Sequence, residues 1–277
     1  MQSFKISLLL STLITFTFAQ DTPKGEPIVF GHSHTIQSDI LKQTRTINIY
    51  LPPGYQKSQK SYPVLYLLDG GVKEDFPHIV GIATLAADWR KIREFILVGI
   101  AGGDRYFELT QPSTHPDDLK RISKNGGATS YRKFIAKEVQ PFITKNFRVT
   151  DETALIGESL AGLFVLDVFL NQPTLFTTYI SISPSLWWNN QALAKAAPNL
   201  LANDFPKKRR LFLTIANEGG AMQEGVDKIV AALKQAPNGH INWIYQPMPG
   251  ETHATIYHPA ALTAVRTFFA TPPEKKE

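Results

Sequence analysis

Cysteine is absent from this sequence of 277 residues, and its absence removes several kinds of chemistry. A chain without cysteine forms no disulfide, has no thiolate nucleophile and offers no cysteine ligands to zinc or an iron–sulfur cluster. It also has no cysteine that could be acylated as a lipoprotein anchor. Apolar runs of membrane-spanning length are absent too, because the stretch at residues 6–18 is shorter than the ~20 residues that cross a bilayer.

The N-terminus has the layout of a secretory signal peptide. Lys5 supplies a positive charge ahead of the apolar stretch 6–18, and Thr17 and Ala19 stand where a cleavage site requires small residues. We therefore expect cleavage after Ala19 and a mature protein that is periplasmic or secreted, with no membrane span. A buried N-terminal helix is the alternative interpretation.

The composition predicts one folded domain. Hydrophobic residues make up 43% of the chain and charged residues 19%, a balance that supports a sizeable core.

The net charge of +5 would favour anionic substrates, but the one basic cluster, at 207–210, lacks aromatic neighbours. We interpret it as a solvated turn and expect no nucleic-acid partner. A monomer is expected, organised as signal peptide (1–19), linker (20–27), one folded domain (28–271) and charged tail (272–277).

Short apolar runs alternate with helical patterns along the domain. The runs that predict strands are 28–36, 44–51, 64–68, 95–100, 154–156, 179–182, 211–215 and 243–245. Helical periodicity is found at 130–147, 160–170, 226–233 and 259–269. This alternation predicts an α/β fold with a mostly parallel central sheet covered by helices on both faces. No helix separates the first two strands, which we expect to be antiparallel, and the connection 183–210 is too short for a large lid domain.

The segment 154–164 (ALIGESLAGLF) places a serine between a buried strand and an apolar helix. A nucleophile elbow requires this context, with small residues beside the serine because the backbone turns sharply there. Gly157 and Ala161 occupy the small positions, and Gly162 follows the alanine that replaces the usual glycine. The pattern predicts Ser159 as a nucleophile; a serine that merely caps the helix is the alternative.

A serine nucleophile needs a base and an acid, which follow it in this order along an α/β-hydrolase chain: serine, acid, histidine. Glu218 comes directly after a late strand and is the preferred acid, with Glu224 and then Asp227 as alternatives. His253 lies between the last strand and the last helix, where it could reach the serine. His258 is the alternative base, but it adjoins a proline at the start of the helix and is better placed to cap it.

An oxyanion hole needs two backbone N–H donors. The first is expected from Leu160, directly after the nucleophile. The second is expected from the loop after the strand 64–68, where glycines let the backbone approach a substrate. Gly71 is the preferred donor in this loop, and Val72 is the neighbouring alternative.

Several blocks of the sequence together resemble one esterase family. They are YPVLYLLDG, LVGIAGGDRYFELTQPS, ALIGESLAGLFVLDVFLNQPTLF, YISISPSLWWNN, LFLTIANEGGAM and PGETHATIYHPAL. In this order they resemble the family of enterochelin and other siderophore esterases, S-formylglutathione hydrolases and feruloyl esterases, and most closely its siderophore-esterase branch. The resemblance covers nearly the whole chain after about residue 28. It implies an α/β-hydrolase fold, a Ser159–His253 pair and ester hydrolysis with no cofactor. Some siderophore esterases resemble Ser–His dyads, which leaves the role of Glu218 open.

Three further residues are candidate substrate contacts. Arg105 lies on the loop after a central strand and could bind an anionic or phenolic group; pairing with Glu108 or Asp104 is the alternative. Trp187 and Trp188 follow the strand 179–182 and could wall an acyl or aromatic pocket, or simply pack under the loop.

A metal site is not expected. His32 and His34 form an H-x-H pair on an early strand, but no further ligands are evident, so we interpret them as part of a solvated strand face.

The sequence predicts a serine carboxylic ester hydrolase that acts on a small-molecule ester through an acyl-enzyme, with siderophore lactones among the candidate substrates. An acyltransferase would use the same acyl-enzyme and is one alternative. A non-catalytic binding protein on the same fold is the other, although the serine, the histidine and the small residues of the elbow favour an enzyme.

Overall fold

The structure is a computed structural model that describes residues 25–89, 91–202, 205, 208–237 and 241–272. The predicted signal peptide lies outside the described residues, as do residues 20–24 of the predicted linker and 273–277 of the predicted tail. Residues 25–31 have no regular secondary structure, so the first strand begins later than the apolar pattern from residue 28 predicts.

The described residues form one sheet of eight strands. In chain order they are β1 His32–Ser38, β2 Gln43–Tyr50, β3 Tyr62–Leu67, β4 Ile96–Ile100, β5 Val149–Glu158, β6 Thr178–Ile182, β7 Arg209–Thr214 and β8 Ile241–Tyr245. The spatial order is β1-β2-β4-β3-β5-β6-β7-β8. β1 and β2 form the antiparallel start that the sequence predicts, β2 is also antiparallel to β4, and all other neighbours are parallel.

The helices connect the strands from β3 onward, and the last helix follows β8. They are α1 Phe76–Asp88, α2 Arg105–Glu108, α3 Pro116–Arg121, α4 Ala128–Phe134, α5 Gln140–Asn146, α6 Leu160–Asn171, α7 Trp188–Ala202, α8 Gly220–Gln235 and α9 Tyr257–Phe268. A π-helical segment, Ile135–Val139, joins α4 to α5, and a short 3₁₀ turn covers Tyr55–Lys57. No helix in the described part of the chain combines the length and hydrophobicity of a bilayer crossing.

Both faces of the sheet are covered, as the sequence predicts for an α/β-hydrolase fold. One core cluster packs α4 to α8 against the sheet, and the other packs α1 and α9 against the opposite face. α6 is buried from Leu160 to Leu170 and lies in the first cluster. Because β3 and β5 to β8 are parallel, their carboxyl ends meet at one edge of the sheet, where loops can bring distant residues together.

Candidate active site

Ser159 stands at a sharp turn between β5 and α6. Its backbone has φ 61° and ψ −118°, a conformation that strains any residue with a side chain. Gly157 makes the turn possible, because a Cβ there would lie 2.7 Å from the Cβ of Ala161. Gly162 packs as closely, since its Cβ would lie 2.7 Å from the carbonyl oxygen of Ile182 on β6. The small residues are therefore required by backbone contacts within the turn and with the neighbouring strand.

The structure brings the predicted nucleophile, base and acid into one chain of contacts. Ser159 Oγ lies 3.0 Å from His253 Nε2, and His253 Nδ1 lies 2.9 Å from Glu218 Oε1. The Glu218 side chain is 8% exposed, whereas that of His253 is 43% exposed and open to a substrate. The Asn217 N–H donates to the Glu251 carbonyl at 3.0 Å, which ties the acid's loop to the histidine's loop.

The alternative residues lie elsewhere. Glu224 accepts a hydrogen bond from Gln191 at 3.0 Å, and Asp227 accepts one from Gln223 at 2.8 Å. The ring of His258 packs edge-on against that of His78, with 4.3 Å between the centroids. The structure therefore places His253 beside the serine and Glu218 beside His253, and it places these alternatives elsewhere.

Two carboxylates act on His253. The Glu218 hydrogen bond is the main cause of a raised His253 pKa, with burial acting against it and the charge of Glu158 adding to it. Glu158, the residue before the nucleophile, lies with Oε1 3.5 Å from His253 Nε2. Burial raises the pKa of Glu158 to about 7, although the charges of His253 and Arg105 oppose the shift. No pattern in the sequence indicates a role for Glu158.

Ser185 is a second residue near the nucleophile that was not predicted from the sequence. Its hydroxyl lies 3.2 Å from Ser159 Oγ, and its N–H donates to the Ser159 carbonyl at 3.0 Å. Ser185 is 2% exposed and follows β6, the strand beside β5. The SPSLWW block contains this serine, but contact with the nucleophile depends on the order of the strands.

The two predicted oxyanion donors differ in their surroundings. Leu160 opens α6, so its N–H has no partner within the helix. The Gly71 N–H donates to Glu74 Oε2 at 2.6 Å, and the same oxygen accepts from the Gly102 N–H at 3.1 Å. The backbone near Gly71 therefore already binds an anionic oxygen, one that belongs to the protein. Val72, the alternative donor, is 61% exposed.

Arg105 opens α2 and contacts Glu158, the residue before Ser159. Its Nε donates to Asp69 Oδ2 at 2.9 Å, and its Nη2 donates to the Glu158 carbonyl at 3.3 Å. The side chain remains 34% exposed. The alternative expectation, an ion pair of Arg105 with Glu108 or Asp104, is wrong. Glu108 pairs with Arg45, and Asp104 pairs with Lys124.

The two tryptophans pack against each other edge-on, with 5.8 Å between ring centroids. Trp188 is 4% exposed, and its Nε1–H donates to the Gln111 carbonyl at 2.8 Å. It lines a cavity of about 400 Å³ beside α6, whose wall includes Arg132 and Asp167 but not Ser159. Trp187 is half-buried against the same core cluster. For Trp188, packing under the loop is therefore the better interpretation.

No group of three or more metal-ligating side chains is found among the residues that the structure describes. His34, one of the H-x-H pair, packs its ring near those of Phe142 and Phe147, with centroids 5.9 and 6.2 Å away.

Comparison with known proteins adds independent evidence. Residues 38–253 match the sequence profile of the family described as "Putative esterase". Ferri-bacillibactin esterase BesA of Bacillus subtilis (strain 168) is 28% identical over 197 residues, 66% of this chain and 68% of the relative. A siderophore enterobactin esterase of Emericella nidulans is 37% identical over 107 residues, 35% of each chain. The crystal structure of an IroE-like serine hydrolase from Shewanella oneidensis superimposes with a TM-score of 0.77 at 28% identity, covering 86% of this chain and 80% of that one.

Proposed function

The chain belongs to the "Putative esterase" family, in its siderophore-esterase-like branch, and on this premise we propose that Ser159, His253 and Glu218 hydrolyse a siderophore ester. That the protein is a carboxylic ester hydrolase follows from its relatives. The proposal adds the residues and the kind of ester. One observation carries it: the unbroken series of contacts from Ser159 Oγ through both nitrogens of His253 to Glu218.

Acylation begins when His253 Nε2 takes the Ser159 proton as Oγ attacks the ester carbonyl carbon. Glu218 accepts the Nδ1–H hydrogen bond, which selects the tautomer whose Nε2 lone pair faces the serine. When the tetrahedral intermediate collapses, the imidazolium gives its proton to the leaving alcohol and an acyl-serine remains. Water then attacks the acyl carbon, with His253 again accepting and returning a proton, and the carboxylic acid is released.

The negative oxygen of each tetrahedral intermediate needs two donors. We assign these to the N–H groups of Leu160 and Gly71. For Gly71 to serve, the Glu74 carboxylate must leave its N–H as substrate binds, because that donor is occupied in the structure. Glu74 is exposed, so its side chain can swing into solvent without opening the core.

A siderophore ester is the substrate class that we assign. The names of the relatives support it, since they describe hydrolases of ferri-bacillibactin and enterobactin. Arg105 offers a partly exposed guanidinium beside Glu158 and Ser159, which suits a phenolic or anionic substrate group. We expect the enzyme to convert a trilactone siderophore into its linear trimer and smaller fragments. Liquid chromatography with mass spectrometry would detect these products. If the protein hydrolyses simple aryl esters but leaves the trilactone uncleaved, the substrate assignment is contradicted and the proposed nucleophile, base and acid are not.

Fluorophosphonate labelling tests the nucleophile directly. We expect one adduct per chain on the peptide that contains Ser159, and no adduct in folded Ser159→Ala protein. Turnover retained by Ser159→Ala, with a normal circular dichroism spectrum, would show that this serine is not the nucleophile.

Two matched substitutions test whether Glu218 completes a triad. Glu218→Gln removes the carboxylate beside Nδ1 and should lower kcat by at least about 100-fold. Glu224→Gln makes the same change at a carboxylate that contacts Gln191, and kcat should be unchanged. Equal activity of the two variants would indicate a Ser–His dyad.

We also propose that residues 1–19 direct export, which rests on the pattern of Lys5, the apolar stretch and Ala19. Protein recovered from the periplasm or the medium should begin at Gln20 when its N-terminus is sequenced, and it should elute as a monomer. An N-terminus at Met1 would contradict the proposal.

A further inference from the structure

Glu158 gives His253 a second carboxylate, on the side that faces the nucleophile. His253 Nε2 lies 3.0 Å from Ser159 Oγ and 3.5 Å from Glu158 Oε1. The nitrogen that must accept the serine proton is therefore shared between a hydroxyl and a carboxylate. The mechanism above uses only the hydroxyl.

The position of Glu158 is fixed by the same strand that carries the nucleophile. Glu158 ends β5, where it pairs with Ile182 of β6. Its carbonyl accepts from Arg105 Nη2 at 3.3 Å, and its side chain is 20% exposed. Because Glu158 and Ser159 are consecutive in a tightly packed turn, both side chains start from the same stretch of constrained backbone beside the imidazole.

The surrounding charges leave His253 as the partner of this carboxylate. The titratable groups that act on the Glu158–His253 pair are Asp69 and Asp75 after β3, Arg105 of α2, Glu218 after β7 and Tyr257 of α9. Arg105 directs its Nε to Asp69 and reaches Glu158 only at the backbone carbonyl. Within the described residues, His253 is the one basic side chain within 4.0 Å of the Glu158 carboxylate.

We propose that Glu158 is a positioning residue that holds the protonated form of His253 and so sets the pH at which the base becomes available to Ser159. The inference rests on the catalytic roles proposed above for His253 and Ser159. Glu158 occupies the middle position of the G-x-S pattern and has no reacting atom, and the proposal gives it a function.

Two opposite effects follow from the position of the charge. In the free enzyme, an ionised Glu158 favours the imidazolium form of His253, which cannot accept the serine proton. As the pH falls, activity is therefore lost at a higher pH than in an enzyme that lacks the Glu158 charge. In the transition state His253 becomes positive between Glu158 and Glu218, and the same charge stabilises it. Burial that raises the pKa of Glu158 to about 7 makes both effects strongest above neutral pH.

Glu158→Gln separates these effects because glutamine keeps the size and removes the charge. We would measure kcat/KM for an aryl acetate and the rate constant of fluorophosphonate labelling between pH 5 and 9. The plateau at high pH should fall several-fold, and the midpoint of the acid limb should move down by less than about 1 pH unit, because Glu158 is itself partly protonated in that range. Labelling requires no siderophore recognition, so the result does not depend on the natural substrate.

The control is Glu224→Gln, whose pH profile should superimpose on that of the wild-type protein. If Glu158→Gln does not fold, Glu158→Ala provides a second uncharged side chain, and the same downward shift is expected. An unchanged midpoint in a folded, uncharged variant would overturn the proposal. Absence of labelling at Ser159 in wild-type protein would instead overturn the proposed nucleophile, so the two failures are distinguishable.

Discussion

The backbone of Ser159 has the conformation of a glycine, and this has a cost in stability. A residue with a side chain at φ 61° and ψ −118° is destabilised by about 1–3 kcal/mol. The serine is also at the N-cap of α6, yet its side chain makes no capping hydrogen bond and faces His253 instead. Function, and not helix stability, accounts for a serine at this position.

Ser159→Gly should therefore be more stable than Ser159→Ala. Both variants lack the hydroxyl and should be inactive, but glycine removes the backbone strain, which raises the free energy of unfolding by about 1 kcal/mol or more. Urea denaturation followed by circular dichroism measures the difference. Equal stabilities would mean that the turn relaxes when the hydroxyl is absent.

Ser185→Ala should reduce the rate without abolishing it. Its hydroxyl lies 3.2 Å from Ser159 Oγ, and a hydrogen bond of ordinary strength corresponds to about a 5-fold change. We expect kcat to fall by roughly this factor while fluorophosphonate still labels Ser159. A loss as large as that of Ser159→Ala would assign Ser185 a direct part in the chemistry.

The sequence predicted Ser159, Glu218 and His253 but not Ser185 and Glu158. Ser159, Glu218 and His253 each lie directly after a strand or on the loop that follows it, and parallel strands bring such loops to one edge. Ser185 and Glu158 gain their contacts from the pairing of β5 with β6 and from the position of His253. Those relations depend on strand order, which local patterns do not contain.

α2 is a single turn of helix held to the sheet by a buried ion pair. Glu108 at its end pairs with Arg45 of β2, and both side chains are 4% exposed. Arg45 also donates to the Ala101 carbonyl at 2.9 Å. The pair fixes the element that presents Arg105 to the site, so a structural contact supports a candidate substrate contact.

Glu108→Gln should be strongly destabilising because it leaves Arg45 buried without its counter-charge. We expect a loss of about 3–5 kcal/mol in the free energy of unfolding. Asp104→Asn is the matched control, since it breaks the exposed pair with Lys124 and should change stability by less than about 1 kcal/mol. Thermal or urea denaturation of both variants measures these losses. Similar free energies of unfolding for the two variants would contradict the expected role of burial.

Helix boundaries were harder to predict than strands. The pattern at 130–147 predicts one helix, but the chain forms α4, a π-helical segment and α5, with Pro141 in the first turn of α5. Proline has no N–H to continue the ladder of hydrogen bonds, which is one cause of the interruption. α1 and α7 were not predicted. α7 includes three residues with left-handed backbones, Asn189, Asn190 and Gln191, which no periodicity would indicate.

Across the whole molecule, the three residues that we propose as catalytic come from distant parts of one sheet. Ser159 and His253 are 94 residues apart in the chain, and Glu218 and His253 are 35 apart. A β-bridge between Ala216 and Met248 joins the loops after β7 and β8 close to the site. The site therefore depends on the packing of the parallel part of the sheet.

Activity and tertiary structure should consequently be lost together. We expect the urea midpoints of fluorophosphonate labelling and of tryptophan fluorescence to coincide, because the loops of the site are hydrogen-bonded to each other and to the sheet. Labelling that disappears at clearly lower urea would show that these loops unfold before the core.

The exposed loop after β3 and the absence of cysteine together make the protein easy to equip with a reporter. Val72 is 61% exposed and adjoins Gly71, whose N–H holds Glu74. A Val72→Cys substitution would introduce the chain's single thiol, so a fluorophore attached there would have one defined location. The emission of this fluorophore would report the proposed departure of Glu74 from the Gly71 N–H as substrate binds. The labelled esterase would then be a real-time sensor of its own substrate.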